Sequence, residues 1–197
     1  ASSLSEVSQI VKKVLKKNKK IILMQCNTNY TASNNNFNFI NLKVLSQYKK
    51  MFPNVVLGLS DHTLGHETVL GSIALGARVI EKHFTDSNKR GGPDHKFSMN
   101  PLTWEKMIEA SRNLESAMGD GIKKIEKNEL QTSVIQRRGI LTSKNLKKNE
   151  IIKKEHLVFL RPCKSKALAP YMYRMLLGRK AKKNINFHEV LNFENTK

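Results

Sequence analysis

Residues 55–101 read VVLGLSDHTLGHETVLGSIALGARVIEKHFTDSNKRGGPDHKFSMNP. Two apolar runs, 55–59 and 77–80, each pass into polar residues that end in a histidine, and a helix-length segment separates them. That is strand, helix, strand. Short apolar strands joined this way are the repeating unit of a parallel sheet, in which functional groups collect at the carboxyl ends of the strands. His62 and His83 stand at those ends. Side chains alternate along a strand, so Ser60 and His62 share one face while Asp61 points away; Glu81 and His83 share a face while Lys82 points away. If the strands are neighbours, the two imidazoles converge.

Two imidazoles on adjacent strand ends suit a divalent transition metal that keeps positions open for water and substrate. The plainer alternative is that each histidine only caps its strand by bonding backbone. A third cluster tips the balance: a Gly-Gly-Pro turn at residues 91–93 presents Asp94 and His95 above the same ends. Glu81, on the His83 face, is positioned to order a metal-bound water.

Working outward, residues 2–3 supply a serine cap for a helix whose apolar positions Leu4, Val7, Ile10, Val11, Val14 and Leu15 recur at helical spacing. It leads directly into the strand-like run 21–24. A helix in that place reads as the second half of a βα repeat whose strand is missing, so a truncation is expected at the amino terminus. Next, the Asn-rich stretch 27–38 follows a strand end and lies on the functional rim. Apolar spacing predicts a helix over 39–52, stopped by Pro53, and another near 67–75. After Pro101 comes an amphipathic helix through Trp104, Met107, Ile108, Leu114 and Met118 that ends at Gly119, with Trp104 a packing residue. Residues 120–136 read as a linker. Beyond it, 139–162 and 175–193 repeat a pattern of apolar strand, Lys-Lys-Asn turn and short apolar segment.

The run SDHTLG, then VIEKHFT, then GPDH and SMNP, in this order, resembles the sialic acid synthase family, with LMQCNTNY extending the likeness upstream. The CNTNY variant is more like the legionaminic acid type than the neuraminic acid type. The resemblance implies an α/β fold: residues 1–119 as the last βα units of a TIM (β/α)8 barrel, 120–136 as a linker, and 137–197 as a small antifreeze-like (SAF) domain. It implies a transferase that condenses phosphoenolpyruvate with an N-acetylated hexosamine, using Mn2+ or another divalent ion held by His62 and His83. Tyr30 and Ser60 match residues that contact phosphoenolpyruvate. Related synthases place an Asn two residues before that tyrosine, where this chain has Thr28 between Asn27 and Asn29, and which of the three takes the contact stays open. Asp94 matches a carboxylate that binds the sugar hydroxyls, so Asp94 and Glu81 are the candidate catalytic carboxylates. Arg161, in an Arg-Pro motif, matches an arginine that reaches across a domain-swapped homodimer to the N-acetyl group in the partner's barrel. The usual Gly-rich turn after it is replaced by Cys163-Lys164-Ser165-Lys166. The lysines and glutamates of the family's amino-terminal part have no counterpart here, so low or absent activity is expected of this chain alone.

Composition bounds the alternatives. The 197 residues (22.5 kDa) suffice for one large or two small domains, whereas about 250 is typical of a complete eight-stranded barrel. Net charge is +19, but 27 of the 35 basic residues are Lys, scattered in pairs without interleaved aromatics. That pattern reads as solvated surface attracting an anionic substrate, not as a nucleic-acid interface. Two cysteines suggest a reducing compartment, and the absence of an apolar run near 20 residues or a signal-peptide pattern predicts a cytoplasmic protein away from the membrane. The alternative from a different functional class is a carbohydrate-binding or structural module without catalysis, which has no reason to bind manganese through His62 and His83.

Overall fold

The computed structural model describes residues 1–30 and 33–197. The chain divides into two compact units, Ala1–Ile122 and Lys123–Lys197.

The first unit is built on a three-stranded parallel sheet, β1 (Ile22–Cys26), β2 (Val56–Asp61) and β3 (Val79–Lys82), in that spatial order. Cys26 stands opposite Ser60, Ser60 opposite Glu81, and Asp61 opposite Lys82. Among the described residues four α-helices accompany it: α1 (Leu4–Leu15), α2 (Val44–Met51), α3 (Glu67–Ala74) and α4 (Pro101–Met118). The expected capping is present. Ser3 Oγ accepts from the Glu6 amide and the Glu6 carboxylate accepts from the Ser3 amide, a reciprocal box that satisfies two amides at the start of α1. Pro101 opens α4 behind the Asn100–Thr103 box, and Gly119 at φ 59° ends it.

The helix expected over 39–52 is shorter. A 3-10 segment, Asn34–Phe39, comes first, Asn41 adopts φ 49°, and α2 begins only at Val44. An apolar spacing cannot register a single left-handed residue, which Asn tolerates better than most.

Alternation along the strands sorts the sheet into two faces. Leu57 and Leu59 point to the helices: Leu57 joins Val11, Leu45, Tyr48 and Phe52, and Leu59 joins Val69, Ile73, Met99 and Met107. Each such large apolar side chain removed from water contributes about 1.5–3 kcal/mol, which outweighs the weak intrinsic helix preference of the short α2 and α3. The other face carries Met24, Gly58, Cys26, Ser60 and Glu81. A Cβ on Gly58 would sit 2.8 Å from the Val79 carbonyl, so glycine lets β2 and β3 pair closely there.

The second unit has α5 (Leu130–Gln136) followed by an antiparallel pair, β4 (Gly139–Thr142) and β5 (Leu157–Leu160). Residues 127–136, in the stretch read as a linker, are thus helical. Its core gathers Ile140, Leu146, Ile152, Leu176, Ala181, Ile185 and Leu191. The pattern echo is a structural duplication, but in a different register from the two Lys-Lys-Asn turns. Leu146 and Ile185 exchange backbone hydrogen bonds, Leu141 bridges Val190 while Ile151 bridges Lys180, and Asn149 and His188 both have positive φ. Lys147–Glu150 therefore answers Asn186–Glu189. In each copy the glutamate accepts from the amide three residues earlier, Lys147 N to Glu150 at 2.9 Å and Asn186 N to Glu189 at 2.9 Å.

Candidate metal centre

His62 follows the last residue of β2 and His83 the last of β3, and both project from the face opposite the helices. Their ring centroids are 5.0 Å apart with planes at 72°. His62 is only 3% exposed, and its Nδ1 lies 2.8 Å from the Asn27 carbonyl. A carbonyl oxygen can only accept, so Nδ1 carries the proton and Nε2 keeps a free lone pair. His83 Nδ1 lies 3.4 Å from Asp94 Oδ2. A carboxylate beside Nδ1 favours the same tautomer, the arrangement in which metal-bound histidines commonly occur. Both rings therefore leave Nε2 as the atom that would serve as a ligand to a divalent ion. Among the described residues no group of three or more His, Cys, Asp or Glu side chains is placed to hold a metal ion, so the two imidazoles stand as a pair.

Around the imidazoles is an aromatic wall. Tyr30 lies 4.1 Å from the His62 ring and 5.4 Å from His83, and Phe97 lies 5.0 Å from His83. Ser60 and Glu81, opposite one another on β2 and β3, are joined by a 2.7 Å bond in which the hydroxyl donates. Glu81 thus holds Ser60 directly.

The GGPDH loop is pinned from beneath. Asn88 donates to the carbonyls of His95 and Ser98, both at 2.8 Å, and Ser98 Oγ donates to the Asp94 carbonyl at 2.6 Å. Asp94 is aimed at His83 while His95 turns aside, its Nδ1 2.8 Å from Thr85 Oγ1. In the Asn-rich stretch, of which residues 31–32 lie outside the described residues, Asn27 Nδ2 donates to the Phe39 carbonyl and Asn29 exchanges bonds with buried Asn36. Sequence reasoning had no signal for the Asn27 carbonyl or for Phe97, because a backbone acceptor leaves no mark in residue type and an apolar loop residue reads as packing. Arg161 belongs to the second unit, where it is exposed directly after β5.

A profile of the NeuB family matches residues 1–123. This chain belongs to the NeuB family. Curated relatives of this NeuB-family chain include N,N'-diacetyllegionaminic acid synthase of Campylobacter jejuni, 36% identical over 193 residues that are 96% of this chain and 56% of the relative. A pseudaminic acid synthase of the same species is 38% identical over 175 residues, 89% of this chain and 49% of the relative. Human N-acetylneuraminate-9-phosphate synthase is 32% identical over 123 residues, 62% of this chain and 33% of the relative. The chain spans about half the length of the bacterial relatives. A spore coat polysaccharide biosynthesis protein E from Chromobacterium violaceum, 19% identical, matches the fold with TM-score 0.69 over 99% of this chain and 58% of that one. The N-acetylneuraminic acid synthetase of Leptospira borgpetersenii, 28% identical, matches with TM-score 0.58 over 67% of this chain and 45% of that one. No helix among the described residues is long and apolar enough to cross a membrane.

Proposed function

We propose that this NeuB-family chain carries the metal-holding part of a nonulosonic acid synthase of the sialic or legionaminic type, a cytoplasmic transferase that condenses phosphoenolpyruvate with an N-acetylated hexosamine aldehyde. The observation that carries the reading is the convergence of His62 and His83 with their Nδ1 atoms engaged, by the Asn27 carbonyl in one case and beside the Asp94 carboxylate in the other. Manganese or a similar ion held by the two Nε2 atoms would supply Lewis-acid polarisation of the sugar aldehyde.

The remaining roles fall to side chains around the pair. Asp94 orients His83 and, half-exposed, has carboxylate surface left for sugar hydroxyls. Tyr30 lies tilted against His62 and edge-on to His83, and from there its role is to contact phosphoenolpyruvate. Ser60, held by Glu81, lies on the same face and serves the same substrate. In the reaction, the C2=C3 π pair of phosphoenolpyruvate forms a bond from C3 to the aldehyde carbon, leaving an oxocarbenium centre at C2. Water adds to C2, the proton it gives up balances the one taken up by the former aldehyde oxygen, and cleavage of the C2–O bond with formation of the C2 ketone releases inorganic phosphate. The one-sided parallel sheet is read as an arc of a (β/α)8 barrel, its open face turned inward, and the second unit as the antifreeze-like domain. That domain brings Arg161 to the N-acetyl group in the partner's barrel of a domain-swapped homodimer.

The test is a chimaera joining this chain to the part of the C. jejuni legionaminic acid synthase that it does not span. Phosphate release from phosphoenolpyruvate that requires both Mn2+ and an N-acetylated amino sugar is the expected result. Release without the sugar, or none when the folded chimaera is supplied with both substrates and metal, would overturn the reading.

A further inference from the structure

Directly behind the two imidazoles, on the helix side of the sheet, lies a buried ion pair with no part in the reaction as described. Asp61 and Lys82 are the last residues of β2 and β3 and stand opposite one another. Their side chains are 0% and 1% exposed, and Lys82 Nζ lies 2.6 Å from Asp61 Oδ2. Lys82 also donates to the Thr63 carbonyl at 2.8 Å. Asp61 accepts from the Thr63 amide and hydroxyl and, at 2.6 Å, from Thr68 Oγ1 in the first turn of α3.

A buried ion pair is a poor way to stabilise a fold, because dehydrating both charges offsets most of their attraction, and apolar residues of similar volume commonly do as well. Leu57 and Leu59 on the same face of β2 show that this layer accepts apolar side chains. What charge adds is direction. The Lys82 ammonium grips Asp61 and Thr63, the residues on either side of His62, while the backbone of Lys82 leads straight into His83. One side chain therefore clamps the backbone of one imidazole to the backbone of the other. On the far side of His83, the Met99 amide donates to its carbonyl at 2.8 Å.

We propose that Asp61 and Lys82 are positioning residues that set the separation of His62 and His83, on the reading that these two imidazoles hold a metal. Groups behind metal ligands commonly change affinity about 10- to 100-fold when removed.

A single replacement would strand a buried charge, so the main test removes both, as Asp61→Leu/Lys82→Met, with Thr68→Val as a mild variant that deletes one bond to Asp61. Three quantities are read on the whole chain: the thermal midpoint, Mn2+ affinity by calorimetry, and ring-to-ring nuclear Overhauser contacts between His62 and His83 in the metal-free protein. The expected result is a folded double variant whose Mn2+ affinity falls about tenfold or more and whose ring-to-ring contacts fade, with Thr68→Val weakening affinity about two- to fivefold. A double variant that keeps the ring contacts and binds Mn2+ within about twofold of the parent overturns the proposal. If the parent chain binds no Mn2+, the metal reading fails by itself. The ring contacts in the metal-free protein then decide whether the pair positions the imidazoles: their loss supports it and their persistence refutes it.

Discussion

The Asp94 carboxylate lies 3.4 Å from Nδ1 of His83 on a side chain that is half exposed, so it meets the imidazole on one side and solvent on the other. The loop that carries it is held at His95 and Ser98 by Asn88, which fixes the carboxylate independently of any bound sugar. In the chimaera, Asp94→Asn keeps the shape and removes the charge. The KM for the amino sugar should rise about tenfold or more while that for phosphoenolpyruvate stays within about twofold, since outer groups at such sites typically matter by that factor. An unchanged sugar KM in steady-state assays would remove Asp94 from the site.

Manganese binding should depend on both imidazoles and on no third histidine nearby. His62→Ala and His83→Ala each delete one of two ligands, so calorimetry should show affinity falling about 100-fold or to nothing. His66, which precedes α3 and makes no ring contact with the pair, should be replaceable by Ala with little effect. Equal losses in all three variants would sink the assignment.

The convergence of the imidazoles was legible because period-two alternation is a property of any strand: Ser60 with His62 and Glu81 with His83 fall on one face once the strands are neighbours. The same rule places Asp61 opposite Lys82, yet no rule of residue type distinguishes a buried pair from two solvated charges. Only the helix layer over that face, with Thr68 reaching down from α3, makes the distinction. The echo in the second unit was visible as composition, but its register was not. The two Lys-Lys-Asn triplets look equivalent, whereas the backbone equates Lys147–Glu150 with Asn186–Glu189, because what repeats is a positive-φ residue followed by an amide-capping glutamate. Helix length failed at Asn41 for the same reason, since a local backbone conformation outweighed an apolar period.

Acid should loosen the second unit through these two glutamates. The Lys147 amide, then Lys144, hold the Glu150 carboxyl below its ordinary value, and the Asn186 amide, then Lys183, do the same for Glu189. A carboxyl depressed in the folded state stabilises it fully above the ordinary glutamate pKa, and that contribution is lost as pH falls through the lower folded value. Melting followed by amide signals of Ile140 and Ile185 should therefore show a midpoint that is flat near neutrality and drops below the ordinary carboxylate range. Glu150→Gln/Glu189→Gln should melt lower than the parent at pH 7 and converge with it in acid. A constant difference between the two proteins from pH 7 to pH 3 would show that the capping carboxylates do not drive the acid response.

Participation of the second unit in the chemistry of another subunit, as proposed above, is tested at Arg161. It stands exposed after β5 and before Pro162, and it presents a planar, multidentate donor suited to an amide carbonyl. The turn that follows is Cys163-Lys164-Ser165-Lys166, in which Lys164 is tied to the His188 carbonyl and Lys166 to Glu194, so the loop is braced within its own unit. In the chimaera, Arg161→Ala should raise the KM for the amino sugar and leave the oligomer intact, and Lys should substitute poorly because it cannot reproduce the forked geometry. The discriminating measurement mixes Arg161→Ala subunits with subunits carrying His62→Ala. If each barrel receives its arginine from its partner, every mixed dimer contains one barrel with an intact metal site facing an intact Arg161. Activity above that of either parent dimer would then establish the exchange, and activity no higher than the average of the two parents would refute it.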